Sequence, residues 1–170
     1  MRKLKLQMQV SVDGFVAGTN GEMDWMVFDW DDEMKKYVNE ITEPVDCIIL
    51  GRKLAQGFIP SWTSRTSNPE TADAFARKMV DTPKIVFSKT LENAEWENIK
   101  LAKGDSVQEI TQLKEQTGKD IIVYGGGSFV SFLIVEGLID EYNLFVNPVA
   151  LGKGMTIFNN LEDKLKIGRA

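Results

Sequence analysis

The chain has no histidine among its 170 residues and a single cysteine, Cys47. Without histidine, a Ser-His-Asp triad, a Cys-His pair and a histidine-ligated zinc site are all excluded. One cysteine rules out an internal disulfide, and its setting in VDCIILG is that of a small buried hydrophobe. No apolar run reaches transmembrane length. Arg2, Lys3 and Lys5 precede an apolar stretch, but Gln7, Gln9, Ser11 and Asp13 interrupt it at alternate positions, unlike a signal-peptide core. A basic excess is also missing. Lys and Arg number 20 against 25 Asp and Glu, a net charge of −5, which argues against nucleic acid or an anionic membrane as partner. The expectation is a cytoplasmic protein without a metal site, whose chemistry, if it is an enzyme, comes from a cofactor or from carboxylates.

What is present suits one ordinary domain, residues 1–170, with a 43% hydrophobic composition. Leu4, Leu6, Met8, Val10 and Val12 alternate with polar residues, which predicts a first strand over about 3–12. A long glycine-bearing loop follows to about Asp29, then a helix over 30–42 ended by Pro44. Val45 to Leu50 reads as a strand buried on both faces. Gly51 turns it into a short helix to about Gly57, and the polar segment Pro60–Asn68 is expected to be a surface loop. Pro69 then opens a helix over 69–80, capped by Asn68 or Ser67. Strands are expected at 84–87 and 99–102, a helix at 106–116, a strand at 121–124, and a helix placing Phe129, Phe132 and Leu133 on one face. A last strand covers 139–147. This alternation predicts an α/β three-layer sandwich, a mostly parallel central sheet with helices on both faces.

Three strand ends carry residues suited to a phosphate: Gly51-Arg52-Lys53, Ser88-Lys89-Thr90, and Tyr124 followed by Gly125, Gly126 and Gly127. In open parallel sheets ligands bind outside the carboxyl ends of strands, so all three are expected on one rim. Arg52 and Lys89 would bring positive charge there, Ser88 a hydroxyl, and Gly126 and Gly127 backbone donors. Val130 stands where the last glycine of G-x-G-x-x-G would be, so a standard dinucleotide fold is disfavoured.

The segments SVDGFVAG, ILGRK, IVFSKTL, VYGGGSF and GLIDEYNLFVNPVALGKGMTIF, in that order, resemble the dihydrofolate reductase-like superfamily. More closely, they resemble its branch related to the reductase domain of bacterial riboflavin biosynthesis, the RibD C-terminal domain family. That resemblance implies a dihydrofolate reductase-like fold and NADPH as hydride donor to a pyrimidine- or pterin-type substrate. It implies that Arg52 and Lys89 meet the adenosine ribose and its 2′-phosphate, with Ser88 assisting and Gly51 and Lys53 beside them. Tyr124 to Phe129, with Gly125, Gly126, Gly127 and Ser128, would cradle the pyrophosphate, and Val16 and Ala17 would lie against the nicotinamide. The loop from Gly18 to Trp25 resembles a mobile lid.

Three departures stand out. Leu54 takes the place of a threonine that contacts phosphate in dihydrofolate reductases proper. The pocket acid is ambiguous in FDWDDEM, with Asp31 and Asp32 the candidates, and their alternative role is helix capping. Finally, relatives continue past PVALGKGMTIF into a closing strand, whereas this sequence reads Lys166–Ala170 with no apolar strand. That leaves an open sheet edge or one covered by the partner of the homodimer that relatives often form. A folate or pterin reductase, a non-catalytic NADP-binding protein and a purely structural dimer module remain as alternatives.

Overall fold

The computed structural model describes residues 1–94 and 96–168. The last two residues of the C-terminal tail considered above, Arg169 and Ala170, lie outside them. Six strands form one sheet: β1 (Leu4–Ser11), β2 (Val45–Gly51), β3 (Lys84–Phe87), β4 (Ile99–Ala102), β5 (Asp120–Val123) and β6 (Glu141–Asn147). Their order is β4-β3-β2-β5-β1-β6, and every pairing is parallel. Five helices supply the crossovers: α1 (Asp32–Thr42), α2 (Arg52–Ser67), α3 (Ala74–Asp81), α4 (Ser106–Glu115) and α5 (Gly127–Val135).

Side chains along a strand alternate between faces, and the core divides accordingly. Cys47 and Ile49 of β2, with Ile121 and Val123 of β5, pack against Ile110 and Leu113 of α4 and Val130 and Leu133 of α5. Ile48, Leu50 and Ile122 point the other way, towards Val38 and Ile41 of α1, Ala55 and Ile59 of α2 and Met79 of α3. Helices therefore cover both faces, as the three-layer expectation requires.

Three helix boundaries differ from the sequence expectation. The segment Pro60–Asn68 is not a loop, because α2 continues through Pro60 to Ser67. Proline deletes the N–H that would bond the Gln56 carbonyl, but Gln56 and Pro60 are both exposed, so water can satisfy that oxygen. The apolar spacing also carries on past the proline: Trp62 packs edge-on to Phe58 and to Phe75 of α3. The following helix begins later than expected. Pro69 lies in a turn in which Asn68 Oδ1 accepts from Glu70 N, and α3 starts only after Asp73, whose carboxylate caps it at Ala76 N, 2.6 Å away. The helix expected from residue 30 likewise starts at Asp32, leaving Trp30 in the preceding loop against Phe145.

At the β6 edge no further strand is present among the described residues. Val146 there is 63% exposed. The segment after β6 instead turns back over the end of β1 and forms one antiparallel bridge, Ala17 to Met155.

Ile122 is wholly buried at the sheet centre with neighbouring strands on both sides. Ile122→Ala is expected to cost about 2–5 kcal/mol, read as a lowered urea midpoint at unchanged m-value.

Candidate active site

Because the strands are parallel, their carboxyl ends lie on one edge of the sheet, and the order β3-β2-β5-β1 sets four chain segments side by side there. Ser88 and Lys89 follow β3, Gly51 to Lys53 close β2, the glycine triplet follows β5, and Val16 and Ala17 lie beyond the end of β1. The expected sharing of one rim is thus a consequence of topology.

Two of the helix starts on this rim are unlike the others. Asp31, Asp73 and Asp105 cap α1, α3 and α4, each accepting from a backbone N–H in the first turn. The two remaining helices, α2 and α5, follow Gly51 and Gly126, and neither has a side-chain cap. Their opening N–H groups carry partial positive charge and lack intrahelical acceptors. These two starts touch. A Cβ on Gly126 would lie 3.6 Å from Gly51 Cα, and one on Gly51 would lie 2.9 Å from Phe129 Cβ in α5. Glycine is required on conformational grounds too: φ is +143° at Gly125 and +84° at Gly126. Around Gly127 there is room, since a Cβ placed on it would come no nearer than 3.8 Å to Val16 and 3.9 Å to Met155.

No ion pair engages Arg52, Lys53 or Lys89 among the described residues. No acidic residue occupies the first turn of α2. Ser88 is half-buried and its hydroxyl accepts from Leu91 N at 2.9 Å and Thr90 N at 3.2 Å, shaping the turn that carries Lys89. Ser128 is exposed at the start of α5, and the Phe129 ring stacks on Phe87 at the end of β3, 5.2 Å between centroids. Leu54 approaches the glycine turn with its side chain, 3.4 Å from a Cβ placed on Gly125. Tyr124 turns into the opposite layer and stacks on Phe58 of α2 at 5.4 Å. Burial pushes its hydroxyl pKa well above the usual value.

Val16 and Ala17 are buried and fixed from beyond the sheet. Val16 N donates to Met155 O and Met155 N to Ala17 O, both at 2.8 Å. Asp13 secures this arrangement: it accepts from Ser11 Oγ at 2.6 Å, Gly152 N at 2.7 Å and Leu151 N at 3.1 Å. Those bonds, led by the Ser11 hydroxyl, hold its pKa below the ordinary aspartate value. Asp13 thus fixes the turn after β1, with a second loop as its other anchor.

The candidate acids stand at the rim end of α1. Asp31 Oδ1 accepts from Met34 N at 2.8 Å as the helix cap, and Asp32 is fully exposed, 3.6 Å from Lys35. Sequence inspection singled out neither Gln7 nor Asn143, although both are buried on the sheet face beneath α1. Gln7 Oε1 and Tyr124 Oη are inaccessible and make no hydrogen bond to another group of the chain.

The family model of the RibD C-terminal domain matches residues 2–168. The uncharacterized protein YyaP of Bacillus subtilis is 34% identical over 170 residues, covering 98% of this chain and 85% of YyaP. The riboflavin biosynthesis protein RibD of Corynebacterium ammoniagenes is 23% identical over 153 residues, 89% of this chain but 44% of that protein. Among solved structures, a Thermotoga maritima diaminohydroxyphosphoribosylaminopyrimidine deaminase/5-amino-6-(5-phosphoribosylamino)uracil reductase superposes with a TM-score of 0.66 at 19% identity, covering 99% of this chain and 51% of that one. Enterococcus faecalis dihydrofolate reductase, complexed with NADP(H), gives 0.59 at 17% identity, covering 94% and 79%. These likenesses show a dihydrofolate reductase-like fold.

The glycine turn makes its own prediction. Gly126→Ala forces a left-handed residue and is expected to destabilise by roughly 1–2 kcal/mol in urea unfolding. Gly127→Ala, one residue on and inside α5, is expected to be neutral or slightly stabilising.

Proposed function

The chain belongs to the RibD C-terminal domain family, and from that premise we propose that it is an NADPH-dependent reductase acting on a pyrimidine- or pterin-type substrate. The observation that carries the proposal is the contact between the two uncapped helix starts at Gly51 and Gly126, with Arg52 and Lys89, which form no ion pair among the described residues, on the same rim. Such a surface favours a multiply charged anion brought close to backbone. In a net-acidic protein, cations without carboxylate partners among the described residues on that one rim fit a phosphorylated coenzyme. The fold agrees, since one protein of the same fold is complexed with NADP(H).

The residues present fit this group. The positive-φ glycines leave the first N–H groups of α5 open to a pyrophosphate, with Ser128 at its edge. Arg52 and Lys89, just past the ends of the neighbouring strands β2 and β3, would hold the ribose and 2′-phosphate, with Gly51, Lys53 and Ser88 shaping that end. Val16 and Ala17, pinned by Met155 and Asp13, would form a firm wall for the nicotinamide. NADPH, when bound, supplies the hydride. The chain's part is to fix the two reacting rings against each other and to exclude water.

For proton delivery Asp31 and Asp32 remain the proposed candidates, and the capping bond of Asp31 sets a condition on its use. A relay through Asp31 would compete with its bond to Met34 N. A uracil reductase is favoured over a folate reductase on this ground, because a folate-type acid must be free to face the ring. The homodimer implied by family resemblance belongs to the same proposal, with the open edge of β6 as the surface a second copy would cover.

Lys89→Ala is expected to weaken NADPH by on the order of 1–3 kcal/mol while changing NADH far less, measured by titration calorimetry. Equal losses for the two coenzymes would remove Lys89 from the 2′-phosphate, and no heat from NADPH with the unmodified protein would end the reductase assignment.

A further inference from the structure

Four cations are buried among the described residues: Arg2, Lys5, Lys84 and Lys114. Burying a charge without a counter-charge is costly, so such groups are expected in pairs. Three of them are paired. Arg2 meets Asp46, Lys5 meets Asp120 at 2.9 Å, and Lys114 meets Asp140 at 2.6 Å. Lys84 is the exception. At 3% exposure it is the most deeply buried of the four, yet no carboxylate among the described residues comes within ion-pair distance of it. Its ammonium donates to the carbonyls of Thr82 at 2.7 Å and Val80 at 2.9 Å, around the C-terminal end of α3. Those bonds use two of its three donors.

Lys84 also lines a groove of about 520 Å³ at the amino ends of β2, β3 and β4, the sheet edge opposite the rim. The charge of this groove is unbalanced. Lys100 lines it from β4, exposed and without an ion pair among the described residues. Asp46 is the one carboxylate among the described lining residues, and it is already engaged by Arg2 and by Lys119 N at 2.8 Å.

The remaining wall is apolar and includes Ile85, Ile99 and Trp96. Trp96 is half-buried, and its ring pairs with no other aromatic ring among the described residues. Two cations with no carboxylate to share call for a doubly charged anion, and an indole beside aliphatic side chains suits a planar ring. The volume is that of a site for a small organic ligand.

We propose that this groove is a second ligand site, which takes an aromatic phosphate of mononucleotide size, its phosphate held by Lys84 and Lys100 and its ring on Trp96. Four residues of β2, from Cys47 to Gly51, separate the groove from the rim, a span on the order of 13 Å. The occupant is therefore an effector and not a reactant. β3 joins the two places, with Lys84 at its start and Ser88 just past its end. Nothing in this site depends on the reductase assignment.

Occupancy has a signature in protons. Burial pushes the Lys84 pKa down to about 8, partly opposed by Asp81 at the end of α3. The Cys47 thiol nearby, pushed up to about 11 by burial, stays neutral under mildly alkaline conditions. Arg2, Asp46 and Lys100 are the other charged groups of the lining. A dianion against Lys84 favours its protonated form, so its pKa rises on binding and protons are drawn from solution at about pH 8.5. The phosphate, with a second pKa of about 6, is already fully ionised there.

The test is titration calorimetry of the full chain with adenosine 5′-monophosphate at about pH 8.5, in two buffers of different ionisation heat. Adenosine and inorganic phosphate serve as half-ligands. The mononucleotide is expected to bind roughly tenfold or more tightly than either half, with net uptake of protons. Lys84→Met should abolish the uptake and weaken binding by roughly tenfold. Lys100→Ala, a change at an exposed position, should also weaken binding, and it keeps the test decisive should Lys84→Met fail to fold. Excess NADPH should leave the mononucleotide in place, because the two sites lie on opposite edges.

Any of three results would overturn the proposal: no heat from the mononucleotide, an affinity unaltered in both lysine variants, or displacement by NADPH. The last would place the mononucleotide on the rim and would support the coenzyme site at the expense of the groove.

Discussion

Everything at the candidate site depends on the close approach of two chain reversals, Gly51 after β2 and Gly126 after β5. In a parallel sheet every strand must be followed by a crossover, and here the crossovers after β2 and β5 are helices that start on the same edge. Where a side chain intervenes, adjacent helix starts are held apart. Here none does, and α5 rests Phe129 on the space a Cβ at Gly51 would fill. The absence of a capping aspartate at these two starts, set against its presence at the other three, leaves their partial positive charge uncompensated by a side chain. The same geometry that packs α5 onto the sheet is the one on which the proposed anion site rests.

Much of this was legible in the amino-acid order. Strands buried on both faces read as unbroken apolar runs, and each run that ends in glycine announces a turn, so Val45–Gly51 and Ile121–Gly127 were recognisable with their rim residues. Parallel pairing then followed from the alternation of strands and helices. The aspartates of FDWDDEM were visible as an acidic cluster at a helix start. Which of them caps was not, because that depends on where the first helical turn closes. It closes after Asp31.

The rest was hidden for definable reasons. Pro60 looked like a break because proline removes a hydrogen bond, yet its effect depends on whether the orphaned carbonyl meets water, a tertiary property. Continued apolar spacing from Ile59 to Trp62 was the available signal. The polar residues of β1 showed a strand period and nothing more. Alternation says that two faces differ, but not that the polar one is covered, and the cover here is a helix some twenty residues further along. Gln7 and Tyr124 come to neighbouring positions only because β5 pairs with β1, a pairing that no local pattern encodes.

That placement of β1 bears on how the molecule comes into being. The first strand of the chain is sandwiched between the last two, with Leu4 beside Ile121 and Lys5 beside Glu141. A ribosome releases β1 long before either neighbour exists, so a nascent chain holds a half-apolar strand with both edges unsatisfied until most of the protein has emerged. Closing contacts so distant along the polymer is slow, and a growing chain in that interval is the form most exposed to self-association.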